Sequence, residues 1–274
     1  MPFIADINAF LREIAPLDLA EEWDNVGLLV GDEGRACGRV MTCLTLTAEV
    51  AAEAVREKAQ LVVSHHPLLF RPVQRVTAAE PEGRMLLDLI AAGVAVYSPH
   101  TGYDSAADGI NRQLAELLEL RDVAPLRARG GIASGDRSPG AGPDESPGAG
   151  RYGTLPRPIL LRELIGRVRE ALAIERLQSV GSDDAPITRV GIACGAGAEF
   201  LSDAAARGCE ALVTGEARFH ACLEARARGI ALVLPGHYAT ERPAMERLAE
   251  ILGQRFPEIA VWASAAESDP LRWW

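Results

Sequence analysis

The segment Leu61-Val62-Val63-Ser64-His65-His66-Pro67 constrains the fold most. Its apolar run reads as a short buried strand. Side chains alternate faces along a strand, so adjacent histidines inside one would point apart. Pro67 has no N–H to continue a ladder, so the strand ends there and that constraint lifts. Two imidazoles then stand at the carboxyl end of a strand, where open parallel sheets bind ligands. The chain has five histidines, His65, His66, His100, His220 and His237, and each follows an expected strand or the turn just after one.

The rest of the chain supplies the frame. Residues 7–14 predict an amphipathic helix with Phe10, Leu11 and Ile14 on one face. Around the apolar stretch 26–30, Asp24-Asn25 and Gly31-Asp32 are turn chemistry, and Trp23 and Asn25 read as packing and turn residues. A strand over 40–46, a helix capped by Thr47 and the strand 61–64 follow in order. A helix carrying Met85, Leu86, Leu89 and Ile90 is stopped by Gly93, and the strand 94–97 runs into Ser98-Pro99-His100. A helix over 109–118 has Asp108 as its expected cap. The second half shows a helix over 161–172, strands over 190–194, 211–214 and 230–234, and helices ending at Gly208 and Gly229. A helix over 241–252, with Pro243 in its first turn, and a strand over 259–262 complete it.

The halves match. Val63-Ser64-His65 corresponds to Val213-Thr214-Gly215-Glu216, and Pro99-His100 to Gly236-His237. This predicts two β-α-β-α-β units whose polar strand ends share a cleft. The expected fold class is α/β, with two similar lobes of mainly parallel sheet flanked by helices. Lobe one takes about 1–125 with 235–274, and lobe two about 151–234. Residues 130–150 are almost all Gly, Ala, Ser, Pro and Asp, a composition that predicts a flexible insertion.

A formal net charge of −10 argues against non-specific binding to nucleic acid or to an anionic membrane. No signal peptide or apolar membrane span is evident. The five cysteines form no C-x-x-C pair and read as reduced thiols of a cytoplasmic protein.

Three clusters carry candidate ligands: His65-His66, His100-x-x-x-Asp104 and His237-x-x-x-Glu241. Imidazole with carboxylate suits divalent zinc, iron, manganese or nickel. Six donors suit two ions sharing a carboxylate and a water. One ion with outer histidines is the leaner alternative, and ordinary capping and surface residues the plain one. Glu216 and His220 are candidates for proton transfer or substrate contact, sharing a face if that stretch is helical. A helix-start carboxylate and a surface histidine would look the same. Arg218 and Arg242 could meet phosphate, and Tyr103 and Tyr238 could stack on a base. No Walker-type loop is present.

Ser64-His65-His66-Pro67, His100-Thr101-x-x-Asp104, Thr214-Gly215-Glu216 and the run from Gly236 to Pro243 together resemble the Nif-three-like family. Its members are also known as dinuclear metal centre proteins or GTP cyclohydrolase 1 type 2 homologues. The run from Trp23 to Asp32 fits the family's N-terminal pattern, and the resemblance spans nearly the whole chain outside 130–150. It implies that His65, His66, Asp104, His237 and Glu241 hold a metal pair, with His100 a further site histidine. By the same resemblance Glu241 bridges, His66 and Asp104 favour one ion, and His65 and His237 the other. It also implies interlocked lobes and a toroidal homohexamer. The implied activity is metal-dependent hydrolysis of a nucleotide or similar small molecule, with GTP ring opening as the example. A non-catalytic metal-binding or scaffold protein is the alternative. Two departures stand out: Thr45 occupies a place where the family often has Asp, and His220 is the one histidine kept of two often adjacent there.

Overall fold

The computed structural model describes residues 1–128 and 146–272. The chain forms two compact units, one built from Met1–Tyr103 with Arg242–Pro270, the other from Asp104–Glu241. Most of the segment expected to be flexible falls outside the described residues, as does the terminal Trp273-Trp274 pair.

The first unit opens with α1 (Ile4–Ile14), where Ile4, Ile7 and Leu11 are buried. Then come β1 (Gly27–Val30), β2 (Arg39–Cys43) and α2 (Ala48–Arg56). Thr47 caps α2 as its sequence predicts, its hydroxyl accepting from the Val50 N–H at 3.4 Å. After β3 (Leu61–Ser64) and α3 (Pro81–Ala92), Gly93 ends the helix in the left-handed region, at φ +68°. β4 (Ala95–Ser98) follows, and a late strand, β13 (Ala260–Ala263), completes the sheet in the order β1-β4-β3-β2-β13. The joints β4-β3, β3-β2 and β2-β13 are parallel, and β1 is an antiparallel edge. Central strands of such a sheet are covered on both faces, which explains their unbroken apolar runs. One face packs Met41, Cys43, Val62 and Val96 against Val50 of α2 and Met85 and Leu89 of α3.

The chain enters the second unit within α4 (His100–Ser105), between Tyr103 and Asp104. There α5 (Ile110–Leu117), β5 (Arg121–Ala124), β6 (Arg127–Ala128), β7 (Gly148–Ala149) and β8 (Arg151–Leu160) lead to α6 (Leu161–Ala171). They are followed by β9 (Gln178–Val180), β10 (Pro186–Ala193), α7 (Leu201–Ala206), β11 (Ala211–Thr214), α8 (Phe219–Arg228) and β12 (Ala231–Leu234). The sheet order is β5-β8-β10-β11-β12-β9, parallel at β10-β11-β12 and antiparallel at its other joints. Strand alternation divides its core. Val213 and Val233 pack to one side with Val168 of α6, Leu212 and Leu232 to the other with Ala204 of α7. The chain returns to the first unit within α9 (His237–Arg255), between Glu241 and Arg242.

Several expectations are corrected. Gly109, not Asp108, stands at the cap of α5. Residues 148–150 are not flexible: Gly148 and Gly150 are buried, and β7 pairs with β6. Their carbonyls accept from the fully buried guanidinium of Arg151, whose other arm donates to the Ala106 carbonyl at 2.7 Å. That charge explains why a Gly-Ala-Gly stretch orders, since a buried guanidinium must have acceptors. The final helix starts at His237, four residues before its expected start, so Pro243 lies inside it. Gly236, at φ +112°, lets the chain turn from β12 straight into helix. Among the described residues, no helix is long and apolar enough to cross a membrane.

Candidate functional site

In the first unit the backbone ladder continues past β3. The N–H groups of His65 and His66 donate to the carbonyls of Cys43 and Leu44, each at 2.9 Å. The Ser98 hydroxyl donates to the His65 carbonyl at 2.7 Å, and the Ser64 hydroxyl to the His66 carbonyl at 2.8 Å. These bonds hold the strand end so that adjacent rings come together instead of apart. The His65 and His66 centroids are 5.2 Å apart, and His100, from the end of β4, lies 5.2 Å from His65 and 5.6 Å from His66. One ring nitrogen from each lies within 4.8 Å of the others. His65 is fully buried and the other two are half-buried. His100 begins α4 with φ +29°, a backbone state that costs a non-glycine residue about 1–3 kcal/mol. Such strain persists only where surrounding contacts hold it.

Those contacts come from residues that sequence reasoning read otherwise. The fully buried Asp24 carboxylate places Oδ1 2.7 Å from His100 Nδ1, while Oδ2 accepts from the Thr101 N–H at 3.2 Å. Burial alone would push this carboxyl up. Hydrogen bonds from His100 and Thr101 and the imidazole's charge outweigh it and hold Asp24 below the usual range. Thr45 Oγ1 lies 2.8 Å from His66 Nδ1. A threonine hydroxyl thus stands beside the His66 ring. The turn bearing Thr45 is itself clamped: the Glu267 carboxylate accepts from the N–H groups of Leu44, at 2.9 Å, and Thr45, at 2.6 Å. Arg242 Nε sits 2.9 Å from the same carboxylate. Arg242 is therefore an internal strut of this unit, since it also donates to the Ser264 carbonyl at 2.9 Å.

In the second unit the corresponding strand ends carry different chemistry. His237 opens α9, and Glu241 follows one turn later on the same face. His237 Nε2 lies 3.0 Å from Glu241 Oε2, and its Nδ1 lies 3.1 Å from Glu216 Oε1. The Glu241 hydrogen bond raises the imidazole to about 9 against the opposing pull of burial, and the charges of Glu241 and Glu216 add to it. Gly195, after β10, donates its N–H to Thr240 Oγ1 at 3.0 Å, and that hydroxyl donates to the His237 carbonyl at 2.9 Å. A Cβ at Gly195 would overlap the Glu241 carboxylate, and one at Gly215 would lie 2.7 Å from the His237 Cα. Two glycines thus form the cradle in which His237 and Glu241 sit. Asp104 is half-buried, and Asn111 ties its backbone carbonyl, at 3.0 Å, to the Cys194 N–H, at 2.8 Å. Burial first, then the charges of Glu241 and Asp104, push the Cys194 thiol well up, so it stays neutral.

Glu216 and His220 do not share a helical face. α8 begins at Phe219, so Glu216 lies in the preceding loop and turns to His237. His220 is exposed, its ring 5.9 Å from that of Phe219. Tyr103 is buried and Tyr238 half-buried, so neither offers an open stacking face. Asp24 and Thr45 were the residues missed. A ligating imidazole usually gives its second nitrogen to a carboxylate or similar group, so each histidine implied such a partner. The sequence could not say which, because 76 residues separate Asp24 from His100.

A family model described as Duf34/NIF3 (NGG1p interacting factor 3) matches residues 3–270. A Clostridium perfringens protein named "GTP cyclohydrolase 1 type 2 homolog" is 31% identical over 266 residues, covering 97% of each chain. The Schizosaccharomyces pombe "Protein NIF3 homolog" is 32% identical over 286 residues, 97% of this chain and 98% of the relative. Among solved structures, a Bacillus cereus protein related to NIF3 superposes with a TM-score of 0.89 at 21% identity, covering 99% of each chain. A hypothetical protein of Staphylococcus aureus does so with a TM-score of 0.87 at 27% identity, over all of both chains.

Proposed function

Since the chain belongs to the Duf34/NIF3 family, we propose that it binds two divalent metal ions and uses them to hydrolyse a nucleotide or similar small molecule. The ligands are His65, His66 and His100 from the first unit and Asp104, His237 and Glu241 from the second. One observation carries this reading. Nδ1 of His66, His100 and His237 each has an oxygen partner, in Thr45, Asp24 and Glu216 respectively. The carboxylate partners of His100 and His237 keep a proton on Nδ1 and leave Nε2 as the donor nitrogen, the usual arrangement of metal-bound histidine, and the Thr45 hydroxyl can accept from His66 Nδ1 in the same way. Imidazole with carboxylate fits zinc, iron, manganese or nickel.

Ions held there would supply Lewis acidity and lower the pKa of a water toward ~7. The chain's own residues do the positioning. Asp24 and Thr45 hold two rings in place, and Glu241 carries negative charge next to His237. Glu216 is exposed and meets His237 Nδ1, so it holds the proton on that atom and orients the ring. The name shared by several relatives supports GTP as the first substrate to try, with ring opening by hydrolysis as the reaction. The same reading includes a homohexamer, for which light scattering should give about six chain masses.

The test is turnover of a nucleotide panel by protein reconstituted with each candidate metal, with Glu241→Gln as control. The account expects hydrolysis of at least one nucleotide that requires metal and is lost in Glu241→Gln. Fully loaded protein that turns over none would leave a metal-binding or scaffold role.

A further inference from the structure

Trp23, Asp24 and Asn25 are consecutive, and each side chain serves the histidine cluster of the first unit. Asp24 orients His100. The Asn25 amide donates to the Leu69 carbonyl at 2.6 Å, pinning the loop that follows His66. The Trp23 ring stands edge-on to Phe70, centroids 5.9 Å apart, and edge-on to His100 at 6.1 Å. Phe70 is edge-on to His100 in turn, at 6.3 Å. These are favourable quadrupole arrangements, so the rings hold one another in place.

Held this firmly, the two rings are nevertheless open. Trp23 is 61% exposed and Phe70 48%. Single exposed apolar residues are ordinary, but two fixed aromatic rings beside a cluster of imidazoles are not. Phe70 also lines a cavity of about 460 Å³, within the range of small-molecule sites. Its charged lining, Arg71 and Arg75 with Glu80 and Glu82, balances and selects no sign of ligand. The apolar ring faces are what can discriminate.

We propose that Trp23 and Phe70 form the ring-binding wall of the substrate subsite, one ring stacking on a flat heteroaromatic base and the other meeting the base's edge, for a ligand held at the histidine cluster. This rests on the proposed function, because it takes that cluster as the reacting end. It replaces Tyr103 and Tyr238 as the stacking residues.

The test titrates metal-loaded full-length protein with guanosine, adenosine, GTP and inorganic triphosphate, by calorimetry. Trp23→Leu and Phe70→Leu should each weaken nucleoside binding about tenfold, while Trp23→Phe keeps most of it. Inorganic triphosphate should bind the wild type and these variants equally, and elemental analysis should give unchanged metal content. Wild-type protein that binds no nucleoside, or leucine variants that bind as tightly as wild type, would overturn the proposal. So would a change of mass in light scattering on Trp23→Leu, which would make the wall a contact between copies. Trp23-dependent nucleoside binding without any turnover would retain the wall and discard the hydrolase. Turnover with unaltered KM in both leucine variants would do the reverse.

Discussion

The two units use one frame for two kinds of chemistry. β2-β3-β4 and β10-β11-β12 are each three adjacent parallel strands joined by helices, and polar residues follow their carboxyl ends. The first frame gathers three imidazoles, with one buried carboxylate behind them. The second surrounds the His237 imidazole with Glu216 and Glu241, which drive it up to about 9. The place of His65 is taken by Gly215, where backbone comes within 2.7 Å of any Cβ. Position is thus a property of the frame. Which donor stands there depends on how closely the neighbouring backbone approaches.

The largest expected effect comes from forcing the second unit toward the first. Gly215→Ala puts a Cβ against the His237 and Gly195 backbones, and should cost about 3 kcal/mol in urea unfolding. Gly215→His should prevent folding of that unit. The reciprocal change, His65→Ala, should keep the fold and lower metal content. Equal stability of Gly215→Ala and wild type would break the comparison.

Next is acid stability, which belongs to the first unit. Buried Glu53 accepts from the Ser264 hydroxyl at 2.5 Å and from the N–H groups of Ala265, at 3.0 Å, and Ala266, at 2.9 Å. Burial pushes its carboxyl up, but those hydrogen bonds prevail and hold it below the usual carboxylate range. A folded-state pKa below the unfolded one gives stability that is full above the unfolded value. It is lost as pH falls through the folded one. Glu53→Gln should cost about 2 kcal/mol at neutral pH and flatten the acid limb of the stability curve. Hydrogen exchange should show the loss in β2 and β13 before β10. An unchanged acid limb would show that Glu53 does not anchor this segment.

A smaller effect separates the orienting groups. Asp24→Asn should weaken metal binding about 100-fold and Thr45→Val about tenfold, in competition with a chelator. Glu216→Gln should fall near the lower figure, because its carboxylate is open to water. Equal losses for all three would remove the distinction between a buried and an exposed partner. The smallest effect concerns the interruption of the second unit alone. Deleting residues 131–145 should leave metal content and thermal midpoint nearly unchanged, on composition. Extending the cut through Gly150 removes β7 and two acceptors of Arg151, and should destabilise markedly.

Much of this was legible in the chain. The strand runs of Leu61–Ser64 and Ala211–Thr214 announced central parallel strands, and Gly93 and Gly229 marked helix ends correctly. The i, i+4 spacing of His237 and Glu241 carried their pairing, although the helix was placed four residues late. The ten-residue β8 was not anticipated, because its middle reads Leu155-Pro156-Arg157-Pro158, and two prolines argue against a strand. It is tolerated where the pairing with β10 shifts register, between Ile187 and Arg189. Asp24, Thr45 and Glu267 were illegible for a different reason. Their roles are hydrogen bonds closed over long stretches of chain, and no local pattern encodes the partner.

The central claim is that these ligands hold two ions per chain. The direct measurement is elemental analysis of protein reconstituted with one divalent metal and freed of excess, alongside His65→Ala and Glu241→Gln. The account predicts a value near two per chain for the wild type, with a lower value in each variant and an unchanged circular dichroism spectrum. A wild-type value saturating at one, and unaltered in His65→Ala, would contradict it.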